Sequence, residues 1–508
     1  MKRTTLSLIA AATALAAVTG FAALTAPDGA PAAPALAGQP LPVERSSLLC
    51  PAPSVSELAE TVYTSYTPAG KTGAPAAGTG KPGAAGKAEL RPAAAAAPAD
   101  GKPKKPGAAK PPATVTRPGT PVTAKADGGA APALTGSATG TLAPGWTVQQ
   151  TTVVPAGGSR GLLGVSCTAP DTDFWFPAAS TAKERQDYVH LTNPDDTAAV
   201  ADIELYGPEG ALPSQLTEGI PVPAHSSVPV LLSTLTTEAA QPDVTVHVTT
   251  RSGRVGAVIG AADDKLGSDW LAASADPAAR VVLPGIPKDA TSVRLVAYAP
   301  GDDDADLKIQ LVGEGGTIVP ASAQALSVKS GMTAAVDLPD LTRGEAGALL
   351  LTPADPKKPT PVAAALRVVR GKGDKQEVAF IPATPAITAR AIVADNRAAG
   401  STLSLTAPAE TAEVKVTASA GTGGGTTVSK TFTVKAGTTT AVAPPVPAGL
   451  KGSYALTVER VSGGPVHAAR MLALPQDGVP MFTVQTLADD RGTVVVPAAK
   501  QDLSVLDD

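Results

Sequence analysis

The sequence predicts an all-β protein: three tandem immunoglobulin-like β-sandwich domains, preceded by an N-terminal export segment and a long disordered loop. Three observations carry this expectation. Larger apolar residues alternate with small or polar ones at a period of two, as in Val244-Thr245-Val246-His247-Val248 and Tyr454-Ala455-Leu456-Thr457-Val458, the pattern of a half-buried strand. Glycine and proline each supply 50 of the 508 residues, too many helix breakers for a mainly helical chain. Two markers also recur at nearly one spacing. Pro194, Pro300 and Pro408 lie 106 and 108 residues apart, and Ile220-Pro221-Val222, Leu326-Ser327-Val328 and Phe432-Thr433-Val434 lie 106 apart, the signature of an internal repeat.

The N-terminus sets the compartment. Lys2 and Arg3 precede an apolar run over residues 6–24, the arrangement of an export signal. Ala35-Leu36-Ala37 offers a small-residue cleavage site before Gly38, which makes 1–37 a signal peptide. The run of 19 residues also falls within the ~17–25 that can span a bilayer, so an uncleaved signal anchor is the alternative. Cys50 follows Ser47-Leu48-Leu49 far from the apolar run and does not fit a lipid-modified cysteine. Residues 502–508 carry no hydrophobic tail. The chain is therefore expected outside the cytoplasm, in the envelope or medium.

Cys50 and Cys167 are the two cysteines. An exported chain meets an oxidising compartment and two thiols have one pairing, so they are expected as a disulfide. Their settings match: Cys50-Pro51-Ala52-Pro53 and Cys167-Thr168-Ala169-Pro170. Closing so long a loop stabilises by ~4–5 kcal/mol in the chain-entropy account.

The domains follow in order. Residues 38–66 hold strand-like pieces, including Thr61-Val62-Tyr63-Thr64-Ser65-Tyr66, expected to join the first sandwich. Residues 67–145 are mainly Ala, Pro, Gly, Lys and Thr, too poor in large apolar side chains to offset ordering entropy, and are expected as a disordered excursion. The sandwiches are then expected over 146–275, 276–383 and 384–508, each with about seven short strands. Phe174-Trp175-Phe176-Pro177, Val281-Val282-Leu283-Pro284, Ala379-Phe380-Ile381-Pro382 and Val494-Val495-Val496-Pro497 read as four equivalent edge elements for three bodies, the last closing the third copy.

Charge narrows the partners. Forty-one Lys and Arg against 45 Asp and Glu leave −4 overall, which argues against nucleic acid. The charge is segregated: residues 67–145 carry +7 and residues 146–508 carry −10. The basic stretch suits an anionic cell-wall polymer, with another envelope protein as the other candidate partner. Membrane contact is expected only through an uncleaved N-terminal segment.

The motifs that resemble chemistry lack its context. Gly157-Gly158-Ser159-Arg160-Gly161 fits G-x-S-x-G, but a nucleophile elbow needs a strand before and a helix after, and here a turn leads into the strand-like Leu162-Leu163-Gly164-Val165. Ser180-Thr181-Ala182-Lys183 fits S-x-x-K without the helix that would carry the serine, and Lys71-Thr72-Gly73 lies upstream. Asp302-Asp303-Asp304-Ala305-Asp306 has carboxylates spaced like a calcium loop, but the sixth and twelfth positions hold Leu307 and Gly313 in place of Gly and Glu. His190, His225, His247 and His467 fall at different places in different copies, and Phe174-Trp175-Phe176 reads as core packing before a sugar platform. No catalytic, cofactor-binding or metal residue is expected, and no cofactor.

Over Phe174-Trp175-Phe176-Pro177, Tyr188-Val189-His190-Leu191-Thr192-Asn193-Pro194 and Glu204-Leu205-Tyr206-Gly207, with Ser47-Leu48-Leu49-Cys50-Pro51, the chain resembles an uncharacterised family of secreted actinobacterial proteins. That resemblance implies export and carries over no catalytic residue. The expected function is a non-enzymatic structural or adhesion-like protein, with three sandwiches as a rod; the alternative is an extracellular glycan- or protein-binding module acting through loops at sandwich ends.

Overall fold

The computed structural model describes residues 39–70, 86–95, 112–216 and 218–496. The export segment 1–37, Lys71-Thr72-Gly73 and residues 502–508 lie outside them. The described chain is all-β, its only helical pieces being two three-residue 3-10 turns, and none of its helices is long and apolar enough to cross a membrane.

The chain divides into two units. One is a two-stranded ribbon in which Gln39–Pro42 pairs antiparallel with Thr493–Val496, Leu41 opposite Val494. The Val494-Val495-Val496 element therefore does not close the last sandwich. The larger unit, Val43–Gly492, holds everything else.

Four sandwiches fill this larger unit, not three. Each has eight strand positions, and the sheets share one order: first, sixth, third, fourth in one sheet, and fifth, second, seventh, eighth in the other. In copy 1 the first position is Arg45–Cys50, the second Glu60–Tyr66 and the eighth Gly161–Ser166. In copy 2 they are Asp173–Ala179, Arg185–Thr192 and Gly267–Leu271. Copy 3 has Val281–Ile286, Ala290–Tyr298 and Lys375–Pro382, and copy 4 has Arg390–Asn396, Ser401–Ala407 and Phe482–Leu487. Ala379-Phe380-Ile381-Pro382 thus lies in an eighth strand, whereas Phe174 and Val281 lie in first strands. The proline marker follows the second strand each time, and the second marker is the fourth-position strand paired to the third.

The order also departs from the immunoglobulin one. There the first strand lies beside the second and the seventh beside the sixth. Here Asp173–Ala179 pairs with the sixth strand, Val244–Ser252, and the seventh, Gly256–Asp263, pairs with the second. The first and seventh strands have changed sheets, and the fourth, Ile220–Val222, lies beside the third.

The stretch expected as a disordered loop supplies the missing copy. Ala88–Pro92, Thr114–Val115, Val122–Asp127 and Leu134–Thr139 are the third to sixth strands of copy 1. Composition misleads here because the large side chains come from outside the stretch. Tyr63 and Trp146 fill a core to which the stretch adds mainly Ala88, Leu90, Val115, Ala124, Leu134 and Ala138. Gly136 shows why small residues are needed: a Cβ there would lie 2.5 Å from Cη2 of Trp146. Ala88 and Leu90 point into that core, and Glu89 between them is buried with Lys87 and Arg91 as its partners. Ala94–Ala95 then leaves the copy and pairs in parallel with Ser226 and Ser227 of copy 2.

The copies do not form a rod. Their eighth strands pack side by side, copy 1 on copy 2, 2 on 3, 3 on 4, and 4 back on 1. Cores run through the joints: Val378 and Phe380 of copy 3 belong to the core of copy 2, and Phe482 and Val484 of copy 4 to that of copy 3. Leu162 of copy 1 packs with Leu472, Val479 and Met481 of copy 4, which closes the ring.

Candidate functional site

The eighth strands bring polar groups from all four copies to the ring axis. Asp269 of copy 2 accepts hydrogen bonds from the Gly164 backbone N–H of copy 1 at 3.0 Å and from the Thr483 hydroxyl of copy 4 at 3.1 Å. The Gln485 side-chain amide donates to Thr483 Oγ1 at 2.8 Å. Glu377 of copy 3 accepts from the Leu162 backbone N–H at 2.9 Å and has the Arg160 guanidinium 3.7 Å away. Burial dominates both carboxyls. It raises Asp269 well above the ordinary carboxylate range and Glu377 to about 8, because a charge taken from water favours its neutral form. Gly164 is required on this axis, since a Cβ there would stand 2.4 Å from Nε2 of Gln485.

Above this polar core lies a half-open cavity of about 420 Å³. Its floor is formed by Gly164, Trp270, Phe380, Val484 and Gln485, and its walls by the chain segments that leave each eighth strand. The volume falls in the ~300–1,000 Å³ range of small-molecule sites. Carboxylates outnumber guanidinium groups around it: Asp171, Asp173, Asp276, Asp489 and Asp490 against Arg491. Asp489 accepts the backbone N–H groups of Thr388, Ala389 and Arg390, and Asp490 pairs with the Arg390 guanidinium. Asp173 lies 3.2 Å from His247, and Asp171 accepts the Thr172 N–H.

The cysteines stand beside this site. Cys50 ends the first strand of copy 1 and Cys167 follows its eighth, and the two are joined by a disulfide spanning 117 residues. Both are buried, and Cys167 lines the cavity. The bond ties the two sheets of copy 1 where its chain passes to copy 2.

The other sequence motifs fall elsewhere. Ser159 sits in the turn between Thr147–Val154 and Gly161–Ser166, with no helix following. The Ser180 hydroxyl donates to the Gln241 carbonyl, 61 residues on, and accepts the Ala182 N–H within its own turn. In the aspartate cluster, Asp304 pairs with Lys329 and Asp306 accepts from Ser327. Among the described residues no three His, Cys, Asp or Glu side chains converge in a metal-holding group. His247 lies face to face with Trp175, ring centres 3.6 Å apart, and Trp175 packs on Tyr298 of copy 3. His467 donates from Nδ1 to the Thr384 carbonyl. The axial residues Asp269, Glu377 and Gln485 carried no sequence signal of their own, since each lies in a different copy and only ring closure unites them.

Fold and cavity together define an all-β protein of four sandwich copies arranged around one axial cavity. The chain belongs to a family of unknown function, DUF5719, which it matches over residues 122–445. That match begins at the fifth strand of copy 1, Val122–Asp127, and ends beyond the fifth strand of copy 4, Thr438–Val442. No curated protein and no solved structure matches the chain.

Proposed function

We propose that the protein is a non-enzymatic, structural or adhesion-like protein of the cell exterior or envelope that works by binding, with the axial cavity as its binding site. The observation that carries this reading is the convergence of residues from all four copies on one half-open cavity of about 420 Å³. Binding sites favour such junctions, where several bodies each contribute a wall. A buried disulfide supports an oxidising compartment, in keeping with the export-like N-terminus and the resemblance to secreted actinobacterial proteins. Retention on anionic wall polymer through the basic stretch is a separable contact. Of its cations, Lys87 and Arg91 pair with Glu89, while Lys71, Lys81, Lys102, Lys104, Lys105 and Lys110 lie outside the described residues. Membrane attachment in this reading comes only from an uncleaved N-terminal segment.

The test is a thermal-shift and calorimetric screen of the exported, disulfide-bonded chain against wall glycan fragments, short peptides and small organic ions. Ala273→Trp, which fills the cavity wall, is the control. The reading predicts a ligand class whose binding Ala273→Trp abolishes. Binding that survives this substitution, or no binding from any class, contradicts it.

A further inference from the structure

Resting on that reading, we infer that the axial cavity takes an organic cation bearing N–H donors, specifically a primary alkylammonium group. Two independent features point there. The first is the mouth, where the side chains of Asp171 and Asp276 are exposed and Asp276 has no partner among the described residues. A low-dielectric cleft lined by one sign of charge concentrates counter-ions.

The second lies at the floor. Gln485 is only 5 % exposed, and its Oε1 accepts no hydrogen bond while its Nε2 is spent on Thr483. Leaving a buried polar atom unpaired costs ~1–3 kcal/mol, so such atoms mark places where a donor is wanted. Among the cavity-lining residues Trp270 Nε1 is an unpaired donor and Gln485 Oε1 an unpaired acceptor. An ammonium group offers three N–H donors and no acceptor. It therefore answers both the Gln485 oxygen below and the carboxylates above. An anionic ligand would meet the carboxylates at the mouth and the Gln485 oxygen at the floor.

A free diamine and a lysine side chain of a partner present the same group, so the experiment separates them. The full, disulfide-bonded chain is titrated at low ionic strength with cadaverine, with N-acetyl-lysine methylamide, and with diacetylcadaverine as a neutral counterpart. We expect single-site binding of both ammonium compounds, with the tighter one identifying the source. Diacetylcadaverine should bind about tenfold or more weaker, as should cadaverine to the Asp171→Asn/Asp276→Asn chain, in line with the strength of charge-assisted hydrogen bonds. Both substitutions lie on exposed positions, and an unchanged melting curve checks the fold. Gln485→Leu should weaken binding as well. Equal binding of the neutral compound, or indifference to the double substitution, overturns the cation inference while leaving the cavity reading intact if Ala273→Trp still blocks binding. Failure of every compound to bind overturns the inference, and failure of the wider screen overturns the cavity reading.

Discussion

Asp269 and Thr483 stand 214 residues apart in the chain and 3.1 Å apart on the ring axis, where the threonine hydroxyl donates to the carboxyl. The bond joins copy 2 directly to copy 4, across the ring. Glu377 makes the other diagonal, reaching from copy 3 to the Leu162 N–H of copy 1. These two crossing contacts add to the apolar cores that run through the joints between neighbouring copies.

The first consequence is a stability that falls as pH rises. Glu377 is raised from 4.5 to about 8 and Asp269 moves in the same direction. A group that holds its proton more tightly folded than unfolded stabilises the fold fully below its unfolded pKa. That contribution is lost as pH rises through the folded value. The melting temperature should therefore decline between about pH 4.5 and about pH 8. Glu377→Gln should flatten this decline in a pH series of thermal melts. An unchanged slope in the variant would place the pH response elsewhere.

Axial packing gives a second expectation. Gly164→Val drives a side chain into Gln485 and Thr483, and overpacking of this kind costs ~1–3 kcal/mol. Gly158→Ala, at a position with open space around the added Cβ, should leave stability nearly unchanged. Chemical denaturation of the two variants reads the contrast directly.

Removal of the disulfide is the third. Replacing Cys50 and Cys167 by alanine should destabilise copy 1 by ~2–5 kcal/mol, the usual range for a native bond. An unreduced peptide map of the exported protein should contain the linked Cys50 and Cys167 peptides. Two free thiols in that map would contradict the bond.

A fourth concerns excision. A fragment covering 276–383 carries copy 3 away from Ala469, Phe482 and Val484, which belong to its core, and takes Val378 and Phe380 out of copy 2. We expect the fragment to show strand-rich circular dichroism with a broad, weakly cooperative melt. A sharp melt like that of the full chain would mean that each copy is self-sufficient.

Much of the strand content was legible because alternation at period two is written into single segments, such as Val244–Ser252 and Tyr454–Gly463. The repeat was legible where its markers survive. Copy 1 carries the same marker, with Pro68 following Glu60–Tyr66 as Pro194 follows Arg185–Thr192. Its spacing is obscured by the long stretch between its second and seventh strands. The low hydropathy there hid strands whose large core partners, Tyr63 and Trp146, come from outside. The axis was not legible at all. Asp269, Glu377 and Gln485 are three residue positions in three copies, and nothing local distinguishes them from surface polar residues. Ring closure, which depends on how whole sandwiches pack, is what buries them together.

The closed ring is tested most directly by a double-mutant cycle across it. Asp269→Ala, Thr483→Val and the double variant would be measured by equilibrium denaturation of the full chain. Direct contact between copies 2 and 4 predicts a coupling energy of about 1 kcal/mol or more between residues so distant in sequence. Additivity within ~0.3–0.5 kcal/mol, the behaviour of separated sites, would contradict the ring.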